Sequence, residues 1–187
     1  AVIGLAIAFG AQNLMRDYFS GFMILVEGQF KLNDVVKIGN FSGTVERMTL
    51  RMTTLRDLEG RAHFIPNGQI KGVTNMTHKW SQVLVDVPVT YRTDVDRVMT
   101  LLMEIADEIR KDDEYKQSII EEPIMLGVDL FAESGVVIRM LLKTLPGKQW
   151  ALKRELLRRV KYRFDNEGIE IPLPHRVVYH RNESNVG

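Results

Sequence analysis

The first sixteen residues carry a stripe of side chains whose types and spacing could line an axis. At about 100° per residue, Leu5, Phe9, Gln12 and Arg16 fall on one face of a helix. Small residues flank this stripe on both sides: Ala1, Gly4, Ala6, Ala8, Gly10 and Ala11. Small residues let helix backbones approach closely in membranes, so each flank can pack against a neighbouring helix. Neighbours on both flanks close a symmetric ring around Leu5 and Phe9. The competing interpretation is an ordinary buried, alanine-rich helix.

No comparable set of residues in the sequence points to catalysis or to the binding of a metal ion or cofactor. The 187 residues include no cysteine, which excludes disulfides, thiolate metal ligands and cysteine nucleophiles. The four histidines lack the spacing of metal ligands, and the sequence has no glycine-rich phosphate loop. Neighbouring carboxylates such as Asp112 and Asp113 lie in polar connectors. We therefore expect no enzyme, no metal site and no cofactor.

The apolar segment that opens the chain is too short to span a bilayer by itself. Residues 1–11 would form roughly 16 Å of helix, whereas a bilayer core is about 30 Å thick. A helix that continues to Val26 would be long enough to span the bilayer, but it would place the polar cluster from Gln12 to Asp17 inside the membrane. We expect a steep spanning half, a bend near Asn13 and an amphipathic second half at the membrane interface. Because the chain begins inside an apolar segment without Met, we expect it to be the later part of a longer protein.

The sequence pattern of residues 31–80 predicts short strands separated by turns. Strands are expected over residues 34–38, 41–48, 49–58 and 61–65, with Gly39-Asn40 and residues 57–60 as turns. Pro66-Asn67-Gly68 ends the last of these strands. An antiparallel unit of this size cannot bury a large core of its own, so we expect it to lean on neighbours.

A second unit begins at residue 81 with an unusually regular strand. Val83, Val85, Val87 and Val89 alternate with other residues, which predicts a half-buried strand. A helix is expected over residues 94–111, opened by a capping box of Thr93 with Asp96.

The rest of this unit predicts a hairpin and a second helix. The hairpin is expected over residues 124–131 and 136–144, and the helix from Gly147 to about residue 166, with Gly168 as its stop. The residues expected to face inward are Trp150, Leu157, Val160 and Phe164. With a last strand at residues 169–171, the order β-α-β-β-α-β predicts a ferredoxin-like α/β domain.

Charge is strongly segregated although the net charge is only +1. Residues 31–80 carry eight Lys or Arg against four Asp or Glu, residues 94–122 four against ten, and residues 143–163 eight against one. The basic helix after Gly147 is interpreted either as a solvated outer face or as a surface that biases which ions enter a vestibule.

Several short motifs occur in a characteristic order after the apolar helix and its polar cluster: Ser20-Gly21, Gln29-Phe30, Gly43-Thr44-Val45 and Ile65-Pro66-Asn67-Gly68. This order resembles the small-conductance mechanosensitive channel (MscS) family over nearly the whole chain. The resemblance implies a membrane-anchored α+β fold with four parts. These are a pore-lining third transmembrane helix with a bend and an interfacial half (residues 1–30), an Sm-like β domain (31–80), a ferredoxin-like α/β domain (81–174) and a C-terminal barrel strand and tail (175–187).

The resemblance also implies a function. A channel of this kind is opened by membrane tension and releases ions and small osmolytes on hypo-osmotic shock. It assembles as a homoheptamer, contacts membrane lipids, and requires neither a cofactor nor nucleic acid. The expected location is the inner membrane, with several spans and with the residues after about residue 30 in the cytoplasm.

Residue by residue, the resemblance assigns roles along the first helix. Leu5 and Phe9 match two apolar rings that constrict the pore, although the family usually has Leu at both positions; such rings keep a narrow pore dry. Gln12 and Arg16 continue the stripe as polar pore residues. Asn13 matches a glycine at which the family bends this helix, and Gly21 matches a second one. Arg16 and Asp17 are adjacent and cannot face each other on one helix, so we expect them to pair between subunits.

The alternative from another class is a membrane-associated RNA-binding module made of the Sm-like and ferredoxin-like domains. Two basic segments favour it. The strands, however, lack paired aromatic residues for base stacking, and the apolar opening would serve no purpose.

Overall fold

A computed structural model describes residues 2–174 of the chain, with side chains from residue 11 onward. Ala1 and residues 175–187, and therefore the expected barrel strand, lie outside the described residues. The chain divides into two compact units, Ala1–Ser81 with Leu145–Lys148, and Gln82–Thr144 with Gln149–Gly187.

The first unit begins with a long helix, α1 (Val2–Glu27), which continues without interruption through Asn13 and Gly21. It ends at Gly28, whose φ of 62° is the left-handed conformation that glycine adopts most readily at a helix end. The Gly28 N–H donates to the Ile24 carbonyl at 3.1 Å. Within the described part of the chain, no helix combines the length and apolarity needed to cross a membrane.

Five strands follow α1 and form one sheet in the order β4-β3-β2-β1-β5. They are β1 (Val35–Ile38), β2 (Phe41–Met48), β3 (Met52–Arg56), β4 (Ala62–Pro66) and β5 (Val73–Asn75). All four neighbouring pairs are antiparallel, and a register shift between Val45 and Arg47 marks a bulge in β2. One turn of 3₁₀ helix, η1 (Asn67–Gln69), separates β4 from β5.

The core of the first unit joins the end of α1 to the sheet. It consists of seven buried apolar residues: Ile24, Phe30, Val36, Ile38, Val45, Leu55 and Ile65. Phe30 lies three residues after the end of α1 and is only 2% exposed. Burial of such a side chain contributes about 2–3 kcal/mol, so this residue holds the end of α1 to the sheet.

The second unit contains all but the first residue of β6 (Ser81–Val89), together with α2 (Val95–Lys111), β7 (Ile124–Ala132), β8 (Gly135–Thr144) and α3 (Gln149–Glu167). Its three strands form a sheet with β8 in the centre, and β7 pairs antiparallel with β8. In β6, burial alternates with every residue, as the sequence predicts. The alternating valines of β6 and the apolar stripes of α2 and α3 belong to one core.

The first residue of α2 differs from the prediction. The N-cap is Asp94, whose side chain accepts hydrogen bonds from the N–H groups of Asp96 and Arg97. The Thr93 hydroxyl instead meets that of Thr90 at 2.9 Å. The capping box of Thr93 with Asp96 is therefore wrong. Asp94 has the extended backbone of a cap, and its carboxylate reaches the free N–H groups of the first turn.

The interior face of α3 also differs from the prediction. Leu152, Leu156, Val160 and Phe164 are buried, whereas Trp150 and Leu157 are exposed. Both Leu156 and Leu157 fit a helical apolar period, and only packing against the sheet distinguishes them. The expected stop at Gly168 is confirmed: its φ is 65°, and the next N–H donates to the Phe164 carbonyl.

The last expected strand, residues 169–171, is not a strand in the structure. Ile169 is nonetheless buried in the core of the second unit. Its apolar side chain thus has the expected environment, but the backbone around it forms no ladder. The described order is β-α-β-β-α, five of the six elements of the predicted ferredoxin-like pattern.

Candidate functional site

The second half of α1 lies against η1 and the β2–β3 turn. We call the three residues that it contacts there, Leu50, Asn67 and Gly68, the helix seat. The Gly68 N–H donates to Asp17 Oδ1 at 3.0 Å. A Cβ at Gly68 would come within 2.6 Å of that same oxygen and 3.1 Å of the Asp17 backbone nitrogen, so a larger residue there would displace the Asp17 side chain from this contact.

Gly21 makes the second close approach, one helical turn after Asp17. It is buried, and a Cβ there would lie 1.9 Å from the Leu50 carbonyl oxygen and 2.4 Å from Asn67 Nδ2. Real Cβ atoms essentially never come within 3.0 Å of such atoms. The helix backbone therefore rests directly on the seat, with no side chain between them.

Asn67 holds the seat together from beneath. It is 1% exposed, and its Nδ2 donates to the carbonyl oxygens of Thr49 and Leu50, both at 2.9 Å. Its Oδ1 accepts from the Thr53 hydroxyl at 2.8 Å. Every polar atom of this buried side chain thus has a partner, as burial requires.

A second set of polar contacts fixes the segment that leaves α1. Asn75 Nδ2 donates to the Gln29 carbonyl at 3.1 Å and to Asp34 Oδ2 at 2.8 Å. The same carboxylate oxygen accepts the Lys31 N–H at 2.9 Å. The helix is therefore attached to the sheet at two levels, through Asp17 and Gly21 in its middle and through this network at its end.

The remaining surface of α1 between residues 14 and 26 is apolar and exposed. Phe19, at 67% exposure, is the most exposed of eight large side chains: Leu14, Met15, Tyr18, Phe19, Phe22, Met23, Leu25 and Val26. One face of this half-helix is thus held by polar atoms and backbone, and the other is available to an apolar environment.

The predicted site residues fall in different parts of this arrangement. The side chains of Leu5, Phe9 and the small residues before Ala11 lie outside the described ones, as does Ala1; Ala11 is half-buried. Gln12, Asn13 and Arg16 are exposed, and Arg16 Nη2 donates to Asn13 Oδ1 at 3.3 Å.

Arg16 and Asp17 are not brought together, since the described partner of Asp17 is the Gly68 N–H. Gly21 lies in continuous helix against the seat. The hinge and pairing roles stay predictions.

Sequence reasoning missed the seat itself. Pro66-Asn67-Gly68 is predicted as the end of a strand and is one of the motifs of the family resemblance, but no sequence pattern indicates that it carries the atoms that contact α1. Gly21 and Gly68 both lie at the contact between α1 and the sheet domain. Because they are 47 positions apart, no periodic pattern in the sequence reveals that they meet there. A buried asparagine in a tight turn is equally invisible, because its partners come from Thr49, Leu50 and Thr53.

One carboxylate in the β3–β4 turn has a strongly altered titration. Hydrogen bonds from His63 and Arg61 hold the pKa of Asp57 well below its usual range. Its oxygens accept from the Glu59 and Arg61 N–H groups, from Arg61 Nε at 2.7 Å and from His63 Nε2 at 2.9 Å. This carboxylate closes the turn and stays ionised.

The opposite charges of α2 and α3 meet within the second unit. Arg163 reaches Glu104 and Glu108, Arg97 pairs with Glu167 at 2.6 Å, and Arg159 pairs with Asp112. Several arginines of the basic helix are thereby paired with the acidic segment that precedes them in the chain. The segregation read from the sequence is thus partly neutralised between the two helices.

Glu155 is the only acidic residue of the basic segment 143–163, and it lies between two arginines. Arg158 and Arg159 both donate to its Oε1 at 2.7 Å. These hydrogen bonds, and above all the one from Arg158, lower the pKa of Glu155 to about 2.

Among the described residues, no group of three or more acidic or histidine side chains is placed to hold a metal ion.

The chain matches known proteins over almost its whole length. The mechanosensitive ion channel β-domain matches residues 13–78, and the C-terminal domain of the mechanosensitive ion channel MscS matches residues 83–171. The small-conductance mechanosensitive channel of Caldanaerobacter subterraneus subsp. tengcongensis is 41% identical over 174 residues, 93% of this chain. The chain belongs to the MscS family.

Further relatives agree with this membership. The moderate conductance mechanosensitive channel YbiO of Escherichia coli is 33% identical over 91% of this chain. The chain spans 61% of the length of the Caldanaerobacter protein and 23% of that of YbiO. By their names both are channels, not enzymes, and the comparisons give the RNA-binding alternative no support.

Solved structures show the MscS-like fold. The closed-state crystal structure of Helicobacter pylori MscS superposes with a TM-score of 0.80 at 20% identity, covering 97% of this chain and 71% of that one. The structure of Arabidopsis thaliana MSL1 gives a TM-score of 0.64 at 20% identity, covering 93% and 64%. The mixed α+β architecture predicted from the sequence is thereby confirmed.

Proposed function

We propose that this chain is the pore-forming and soluble part of a mechanosensitive channel that membrane tension opens, releasing ions and small osmolytes on hypo-osmotic shock. The observation that carries the proposal is the attachment of α1. A helix with an exposed apolar face is held to a sheet domain through Asp17, Gly21 and the helix seat. Such a helix can contact the membrane through its apolar face while the sheet domain supports its other face.

In this proposal the two halves of α1 have different roles. Residues 1–12 line the pore, with Leu5 and Phe9 as apolar rings that exclude water from a narrow passage. Gln12 and Arg16 continue the lining, and the small residues Gly4, Ala6, Ala8, Gly10 and Ala11 let neighbouring helices slide past one another. Beyond a hinge at Asn13 or Gly21, the second half lies at the membrane interface.

The assembly is a homoheptamer in the inner membrane, with the residues after about residue 30 in the cytoplasm. Residues 31–80 form an Sm-like ring beneath the membrane, residues 81–174 form the wall of a cage, and residues 175–187 close it as a barrel. Membrane lipids, permeating ions and small solutes are the partners. Asp17 uses one carboxylate oxygen for Gly68, and we assign the other to Arg16 of the neighbouring subunit.

Tension favours whichever state occupies more membrane area, so the pore opens as its helices tilt and withdraw Leu5 and Phe9 from the axis. The helix seat is the restraint against which α1 tilts. Opening therefore does work against the contacts at Asp17 and Gly21.

The test is patch-clamp recording of the full-length protein in liposomes under suction. We expect current steps that appear above a defined suction and disappear when it is released. Liposomes with verified, folded protein and no stretch-activated current would overturn the proposal.

A further inference from the structure

A cavity of about 290 Å³ lies in the second unit, between the segment that enters α2 and the residues that follow α3. Four charged residues line it: Arg92, Asp94, Arg97 and Glu170. The buried side chains of Val98 and Ile169 also line it and make part of its wall apolar. Its volume is close to the lower limit of small-molecule sites. No step of the proposed function uses this cavity.

The two arginines of the lining have hydrogen-bond donors to spare. Arg92 is exposed and has no hydrogen-bond or ion-pair partner among the described residues. Arg97 donates from Nη2 to Glu167 at 2.6 Å, and its Nε and Nη1 have no partner within the part of the chain that the structure describes. A guanidinium group presents its N–H donors in a planar fork that matches a carboxylate. The cavity can therefore bind a carboxylate.

The two acidic residues of the lining are also available. Glu170 is exposed, and no described residue pairs with it. Asp94 Oδ1 accepts from the N–H groups of Asp96 and Arg97, whereas no described donor reaches its Oδ2. Because this cap already occupies N–H groups of the first turn of α2, the helix N-terminus is not what would hold an anion here. The negative charges of the lining can instead bind a cationic group.

The balance of charge decides which ligand the cavity suits. Arg92 and Arg97 supply two positive charges, and Asp94 and Glu170 supply two negative ones. A simple anion would be attracted by the guanidinium groups but repelled by the carboxylates, and a simple cation would meet the reverse. A zwitterion avoids this conflict, because each of its charged groups has an opposite charge to contact.

Two hydroxyl groups add a donor to the same lining. Thr90 and Thr93 both line the cavity, and their hydroxyl oxygens are 2.9 Å apart. One hydroxyl donates to the other, so the hydrogen of the second stays available. A carboxylate in the cavity can accept it.

We propose that this cavity binds a small neutral zwitterion with a carboxylate and a primary ammonium group, as in a free α-amino acid. The carboxylate accepts hydrogen bonds from Arg92 and Arg97, and the ammonium group donates to Glu170. The ligand thereby joins the segment before α2 to the segment after α3. This inference does not rest on the proposed function, because binding in the cavity requires neither tension nor current.

The test is isothermal titration calorimetry of the full-length protein in detergent, with L-alanine as the probe. Acetate supplies only the carboxylate, methylammonium supplies only the cation, and N-trimethylglycine keeps both charges but has no ammonium N–H. We expect saturable binding of L-alanine and none of acetate or methylammonium over the same concentration range. N-trimethylglycine should bind about tenfold more weakly or worse, because it loses hydrogen bonds to a charged group.

Two variants each remove one charge of the lining. Arg92→Gln removes a partner of the carboxylate, and Glu170→Gln removes the partner of the ammonium group. Arg154→Gln and Glu133→Gln are the matched controls, since they make the same changes at exposed positions outside the cavity. We expect each lining variant to raise the Kd for L-alanine about tenfold or more, and each control to leave it unchanged. All four positions are exposed, and circular dichroism verifies that the variants are folded.

The inference is overturned if the folded wild-type protein shows no saturable binding of L-alanine. It is equally overturned if acetate binds as tightly as L-alanine, or if Arg92→Gln and Glu170→Gln both bind L-alanine like the wild type. A protein that binds L-alanine as expected but gives no stretch-activated current would support this site while defeating the proposed function.

Discussion

Gly21→Ala is the substitution whose outcome follows most directly from the contacts of α1. The added Cβ would lie 1.9 Å from the Leu50 carbonyl oxygen, whereas ordinary contacts begin near 3.4 Å. The helix and its seat must therefore separate by about 1.5 Å, because the opposing atom belongs to the backbone and cannot rotate away. A shift of that size also breaks the 3.0 Å hydrogen bond between Asp17 and Gly68.

The free energy of docking can be worked out from these contacts. Overpacking costs about 2 kcal/mol, and loss of a partly exposed hydrogen bond costs about 1 kcal/mol. Replacing glycine by alanine also stabilises the helix by about 1 kcal/mol, but it does so equally in the docked and undocked positions. The net effect is about 3 kcal/mol against the docked arrangement, roughly a 150-fold loss in its population.

The assay combines hydrogen exchange of the Gly68 amide with midpoint tension in liposome patches. We expect faster exchange and a lower midpoint tension for Gly21→Ala, and neither for the control Ser20→Ala on the adjacent position. If Gly21 acted only as a hinge, the exchange rate at Gly68 would stay unchanged while gating altered. An Ala variant that is more stable than wild type, with unchanged exchange at Gly68, would refute the close packing of helix and seat.

Three further predictions concern the pore, the subunit contact and the second unit. Phe9→Ser should admit water to the constriction and give current without suction several-fold above wild type, whereas Ile7→Ser, on the opposite side of the helical wheel, should not. Arg16→Ala should lower the midpoint tension by removing a contact worth about 1 kcal/mol or less per subunit; an unchanged threshold would contradict the pair. Glu155→Gln should lower the melting temperature of the purified channel by about 3 °C at neutral pH, with Glu133→Gln as control. Because the folded-state pKa of Glu155 is lowered to about 2, its stabilisation is present above about pH 5 and lost as pH falls towards 2, so the deficit of the variant should shrink over that range.

Much of the secondary structure follows from local pattern. The period-two valines of β6 predict both a strand and its buried face, and burial alternates as expected. The bounds of β2 agree with the prediction residue for residue. These succeed because side-chain direction in a strand repeats every two residues, whatever the strand packs against. Gly168 is read as a stop for a similar reason, since few other residues adopt its φ.

Elsewhere several local solutions compete, and only packing decides between them. Thr93 and Asp94 can both cap a helix, and the backbone at Asp94 selects the carboxylate. Leu156 and Leu157 both continue an apolar period, and the sheet buries one of them. Residues 169–171 have the composition of a strand, but they form no ladder.

The sequence alone determined the family and most of the order of elements, because both depend on residue types at short, fixed spacings. The pore-lining role of Leu5 and Phe9 stays a prediction. The tertiary structure decided how α1 is attached. Asp17 and Gly68 are 51 positions apart, and Asn67 finds its partners 14 to 18 positions away. No short-range pattern records such contacts, since they exist only once the β2–β3 turn and η1 have been brought together beneath the helix.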